Sequence, residues 1–193
     1  MVRIDRFWGV VGISLSMAIA SRSLEAFAQP AEVFLPHLQH IQEKMPPHQV
    51  MRLPREILLS GSGDLHPRDL IVKIFSSQSP PRLTIGLFTC ESGPFPCLVG
   101  TLAAEAATSA TAQRELARHQ AMHLPITLAK DVRGYLQEGP NLQPLSDFSS
   151  VMWEQDGTIY TVRFLATERQ NILFMARSMA IQPPIMSLQI ASP

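Results

Sequence analysis

Hydrophobic residues recur along this chain with two different periods, and the switches between them divide it into elements. Between residues 30 and 47, Phe34, Leu38, Ile41 and Met45 return every three or four positions, the spacing that lines one side of a helix. Pro46-Pro47 ends that run, and Pro36 fits within its first turn, where a missing N–H costs little. Residues 56–60 read as a strand that breaks at Gly61 and Gly63. Three further runs, 69–76, 83–90 and 97–103, are rich in Val, Ile, Leu, Phe or Thr and bounded by Gly, Pro or Ser, so they read as strands. The spacing predicts a helix over 109–124 and a strand over 126–137, with 141–148 as a loop.

The sharpest local expectation is a hairpin over 149–166. Asp156-Gly157 suits a two-residue type I′ turn, in which both central residues take positive φ. That turn sets Trp153 against Tyr160 and Val151 against Val162, all four on one face of the sheet. A core role for this quartet outweighs a ligand platform built on Trp153. A closing helix follows over 168–180. Thr167 and Gln170 have capping-box spacing, and Ile172, Met175, Ala176 and Met179 form an apolar stripe, with Arg169 and Arg177 at or beyond its edge. Strands covered by such a helix make an α+β fold. We expect a single twisted, mainly antiparallel β-sheet backed by two or three helices on one face.

The first thirty residues have another pattern. Arg3 and Arg6 precede an uncharged run from Phe7 to Ala20, and Ala26-Phe27-Ala28 has small residues where a signal peptidase cuts. The run is shorter than the roughly 18–20 residues that span a bilayer. The expected organisation is a signal peptide over 1–28, one α+β domain over 29–180 and an extended tail over 181–193, with no stable membrane span after cleavage. No cysteine stands at the cleavage position, so lipid attachment there is not expected. The full chain carries 16 basic and 16 acidic residues. Losing the leader leaves it near neutral, which argues against nucleic acid or an anionic membrane as partner. Sixteen prolines and 17% charged residues favour turns and extended pieces over a helical bundle.

Chemistry concentrates first at the only two cysteines, Cys90 and Cys97, in FTCESGPFPCLVG. An exported chain folds where paired thiols become disulfides. Cys90 ends one strand pattern and Cys97 begins the next, so they can meet across a hairpin mouth. A redox pair normally has Cys-x-x-Cys beside a helix start, and a metal would need two further ligands that the neighbourhood lacks. A disulfide is the expected state. His119 and His123 lie four apart on the second helix, a feasible but weak metal-ligand pair. Their HQAMH context lacks the Glu of a zinc-protease motif, and both should edge the helix's apolar face. His37 and His40 on the first helix are weaker still. Ser60, Ser62, Asp64 and His66 in LSGSGDLHPRD hint at a hydrolase, but no nucleophile elbow is formed there, and a flexible turn reads better. No phosphate-cradling glycine motif occurs, so no cofactor is expected.

The segment SSVMWEQDGTIYTVRFLATERQNILFMARSM resembles small extracytoplasmic domains of unknown function found after anti-sigma-factor anchors, loosely similar to lipoprotein-carrier-like sheets, over about residues 126–180. The whole chain resembles uncharacterised exported proteins of oxygenic photosynthetic bacteria, through GLFTCESGPFPCLVG, PITL and FSSVMWEQDGTIYTVRFLA. That resemblance implies the periplasm, thylakoid lumen or cell surface and supplies no activity. The chain lacks the zinc finger and membrane span of an anti-sigma factor, so a signalling role does not carry over.

Three functions stay open. The first is a non-catalytic exported domain that binds a protein partner or an apolar ligand. Met45, Met51, Met122, Met152, Met175 and Met179 could line a soft groove for it, although core filling is their commoner use. The second is a hydrolase-type enzyme using dispersed His, Asp and Ser residues. The third is a weak metal binder using His119 and His123. Converging ionisable groups in a pocket would favour the second, and a shallow apolar groove the first.

Overall fold

The computed structural model of the chain describes residues 29–60, 66–92, 97–122 and 124–187. The expected leader, 1–28, and the end of the tail lie outside them. A two-residue strand β1 (Val50–Met51) pairs with β9 (Ile185–Met186). The main sheet is made of two meanders. One comprises β2 (Ile71–Gln78), β3 (Pro81–Phe88) and β4 (Leu98–Ala106). The other comprises β5 (Ile126–Ala129), β6 (Val132–Gln137), β7 (Phe148–Gln155) and β8 (Thr158–Leu165). They join through β4 and β8 in the order β2-β3-β4-β8-β7-β6-β5, and every pairing is antiparallel. The α+β fold with an antiparallel sheet is therefore the observed one.

The β7–β8 hairpin has the expected register. Trp153 pairs with Tyr160 and Val151 with Val162, and the turn residues Asp156 and Gly157 have φ of 52° and 73°. The two rings stack with centroids 5.3 Å apart. All four side chains are fully buried. They belong to one large core that includes Leu83, Ile85, Leu87, Leu102 and Phe164 from the sheet. Helix α3 (Arg169–Ile181) packs on β5, β7 and β8 and buries Ile172, Met175, Ala176 and Met179, the whole of the expected stripe. The N-terminal segment completes this side with Phe34, Ile41, Met51, Leu53 and Ile57.

Several expectations need correction. The first helix is divided into a 3-10 turn, Glu32–His37, and α1 (Leu38–Lys44). Pro36 lies inside the 3-10 turn, where its ring and missing N–H disfavour a continuous α-helix. Residues 56–60 are not a strand; Ile57 is buried without any ladder. The run 126–137 is a hairpin, because Asp131 takes φ of 62° and turns the chain between β5 and β6. Asp tolerates that left-handed conformation better than most residues. The capping box is absent: a 3-10 turn, Ala166–Glu168, precedes α3. The Glu168 carboxylate instead accepts from Ser60 N at 2.8 Å and Asn171 Nδ2 at 2.7 Å. In the tail, Gln182 is buried and Ile185–Met186 form a strand.

The helices do not share one face. Helix α2 (Ala110–Met122) begins at Ser109, whose backbone carbonyl accepts from Gln113 N and whose Oγ accepts from Ala112 N. It rests on the side opposite α3, through a small cluster of Ala112, Leu116, Met152 and Ile159 with Ala107 and Tyr135. Connectivity explains this. β4 lies mid-sheet and β5 at the far edge, so the link between them must cross β8, β7 and β6. The other face is already filled by α3 and the N-terminal segment. No helix among the described residues is long and apolar enough to cross a membrane.

Candidate functional site

A sheet face covered by a helix is ordinarily apolar, because the cover removes it from water. Under α2 it is not. Thr101 on β4, Arg163 on β8, Ser150 on β7 and Gln137 on β6 are successive register partners. Alternation of side chains along a strand puts this whole row on the α2 side. The next row holds Ala103, Thr161, Met152 and Tyr135, of which Met152 and Tyr135 join the cluster beneath the helix. α2 therefore stands on a narrow apolar footing beside a polar strip.

Two hollows open along this strip. One, about 250 Å³, is lined by residues that include Arg82, Thr101, Glu105, His119 and Thr161. The other, about 690 Å³, is lined by residues that include Met122, Gln137, Leu142, Pro144 and Phe148. Glu115, Ser150 and Arg163 belong to both, so the hollows form one groove with these three at its waist. The wall at the larger end follows a 3-10 turn, Gly139–Asn141. A Cβ on Gly139 would meet Phe148 O at 2.2 Å and Ser146 O at 2.3 Å, so only glycine lets the backbone pass so close.

His119 leans into the groove from α2 and is 1% exposed. Its Nδ1 lies 2.9 Å from the Glu115 carbonyl oxygen and its Nε2 2.9 Å from Ser150 Oγ. A carbonyl can only accept, so Nδ1 carries the proton in the neutral ring and Nε2 accepts from the Ser150 hydroxyl. The tautomer is assigned from these partners.

The charged groups differ in how far they are satisfied. Glu105 accepts a short hydrogen bond from Ser109 Oγ and lies 3.6 Å from Arg82 Nε. Glu115 is paired with Arg118 at 3.1 Å. Arg163 has no carboxylate within ion-pair distance among the described residues. Its guanidinium lies over the Phe148 ring at 5.2 Å and donates weakly to Ser146 Oγ at 3.5 Å. The groove thus presents a cation that has no ion-pair partner among the described residues, next to a hydroxyl with a hydrogen-bonded imidazole behind it.

The candidates from sequence fall elsewhere or change role. Cys90 and Cys97 are joined as a disulfide with Cα atoms 5.5 Å apart, at the mouth of the β3–β4 hairpin. His119 does not edge the helix face as expected but is buried between α2 and β7, because the polar strip supplies Ser150 as its partner. His123 lies outside the described residues. His40 lies exposed, 3.7 Å from Glu43. Ser60 Oγ accepts from Asn171 at 2.7 Å, and His66 Nδ1 accepts from Arg68 N at 3.2 Å. Ser62 and Asp64 lie outside the described residues. Met45, Met51, Met175 and Met179 fill the large core, while Met152, buried beneath α2, lines the smaller hollow and Met122 the larger.

Sequence reading missed Ser150, Arg163, Thr101 and Gln137 because alternation made them look like a solvated face. The usable signal was Met152 and Ile159 on that same face, two apolar side chains that require a cover.

A second polar cluster lies at the hairpin turn, on the opposite face. Arg52, 7% exposed, donates to the Gln182 carbonyl and, at 2.7 Å, to Asp156 Oδ2. It ties the N-terminal segment to the turn and to the end of α3. Burial pushes the Tyr160 phenol above its ordinary 10.0, and the nearby Arg52 charge offsets this only in part.

The chain matches no protein-family model, no curated protein and no solved structure.

Proposed function

We propose that the chain is an exported binding domain that holds a small amphiphilic anion in the groove beneath α2. The carrying observation is Arg163, which lines both hollows and has no carboxylate partner among the described residues. Its planar fork suits a carboxylate or phosphate oxygen pair. Thr101 and Ser150, its register partners on either side, add hydroxyls to the same strip. The apolar body of the ligand would lie against Met122, Leu142 and Phe148 in the larger hollow, whose volume is in the range of small-molecule sites. Export is part of this reading. The Cys90–Cys97 disulfide is compatible with an oxidising compartment, and the basic-apolar-small pattern of residues 1–28 is that of a leader.

Thermal denaturation with straight-chain carboxylates from acetate to octanoate, and with inorganic phosphate, tests the binding. A ligand at 100 times its Kd stabilises by about 2.7 kcal/mol, which raises Tm by about 5–10 °C for a chain of this size. Octanoate should shift the wild type in this way and leave Arg163→Gln unmoved. Equal shifts in both proteins, or none in either, would overturn the reading.

A further inference from the structure

We propose that Ser150 and His119 form a nucleophile–base pair for the hydrolysis of small esters whose anionic end is held by Arg163. The inference rests on the groove being a ligand site and goes beyond binding. Four requirements of such a centre meet here. The nucleophile Ser150 Oγ faces both hollows and lies 2.9 Å from His119 Nε2. The base is oriented by a third group, the Glu115 carbonyl, which holds Nδ1 at 2.9 Å and so leaves Nε2 as acceptor. Arg163 and Gln137 flank Ser150 across the sheet as its register partners. The Gln137 carboxamide is buried in the wall and spends its N–H on a Met122 Sδ contact of 4.0 Å. That contact is too weak an acceptor to hold the group against an oxyanion.

The chemistry balances with water as the co-reactant. Ser150 Oγ adds to the ester carbonyl carbon while its proton passes to His119 Nε2, and the carbonyl electron pair moves to oxygen. Gln137 N–H donates to that oxyanion, and Arg163 holds the anionic end of the substrate. Collapse breaks the ester C–O bond, and the leaving alkoxide takes the proton back from His119. Water repeats the sequence on the acyl-serine and releases a carboxylic acid, restoring Ser150.

The test is covalent labelling of the folded wild type with an alkyl fluorophosphonate, read by intact mass and peptide mapping. The expected result is one adduct, on Ser150, formed at least about 100-fold faster than on any other serine, the scale of general-base assistance. Ser150→Ala should abolish it, and His119→Gln should slow it by a similar factor. If His119→Gln does not fold, the rate of Ser150 relative to the other serines still decides. No adduct at Ser150, or a rate there matching the other serines, would overturn the proposal. Binding of octanoate without labelling would sink the pair alone; labelling without anion binding would sink the Arg163 reading alone.

Discussion

Replacing Trp153 by Ala removes the largest side chain from the core. The indole is fully buried, stacks on Tyr160 with centroids 5.3 Å apart, and donates through Nε1 to Gln155 Oε1 at 3.3 Å. Gln155 in turn donates to the Ala180 carbonyl at 3.2 Å, so the ring helps to fix the end of α3. Truncations of this size cost about 3–5 kcal/mol in lost transfer energy and cavity formation. For a chain of this length that is about 6–20 °C in Tm. The assay is urea denaturation followed by far-ultraviolet circular dichroism, since the substitution removes one of only two tryptophans. A midpoint lowered at unchanged m-value supports the packing described. Trp153→Phe, which keeps a ring for Tyr160 to stack on, should recover more than half of the loss. An alanine variant within about 1 kcal/mol of the wild type would refute the assignment of Trp153 to the centre of the core.

Other perturbations reach different parts of the structure. Converting Cys90 and Cys97 together to Ser should cost about 2–3 kcal/mol, the chain-entropy value for so short a loop, and reducing agent should lower the wild-type midpoint to that of the variant. The folded chain holds the Tyr160 phenolic proton more tightly than the unfolded chain does. This contribution to stability is complete below about pH 10 and is lost as pH rises through the raised folded value. Tyr160→Phe should flatten that alkaline decline in denaturation midpoints. Helix α2 buries Ala112 and Leu116 in a small cluster, whereas α3 buries Ile172, Met175, Ala176, Met179 and Ala180 in the large one. Amide hydrogen exchange should therefore be faster along α2 than along α3, and comparable protection would contradict the narrow footing.

The β7–β8 hairpin was legible because its signals are local and agree. Asp156-Gly157 names the turn, the turn fixes the register, and alternation then selects the buried face. The stripe of α3 was legible for the same reason. The turn at Asp131 was hidden because it uses no glycine and because Val132 resumes an apolar pattern like that of Ile126 and Leu128. The groove was not legible for a deeper reason. Its residues come from α2, β3, β4, β6, β7, β8 and the loop before β7, and they meet only because the α2 crossover takes the face that α3 leaves vacant. The short periods that reveal each strand carry no information about which helix covers which side. His119 illustrates this: its place on α2 could be read from sequence, but its partner Ser150 lies 31 positions away.

The central claim, an anion site at the waist of the α2 groove, is tested most directly by following backbone amide, guanidinium and methyl resonances of the isotopically labelled protein during titration with octanoate. The account predicts saturable shifts at Arg163 Nε–H, at the amides of Thr101, Ser150 and Gln137, and at the Met122 methyl, with the amide of Lys73, on β2 near the Cys90–Cys97 disulfide, undisturbed. Shifts confined to Lys73 or to the opposite face around Arg177, or no saturable shifts at all, would contradict it.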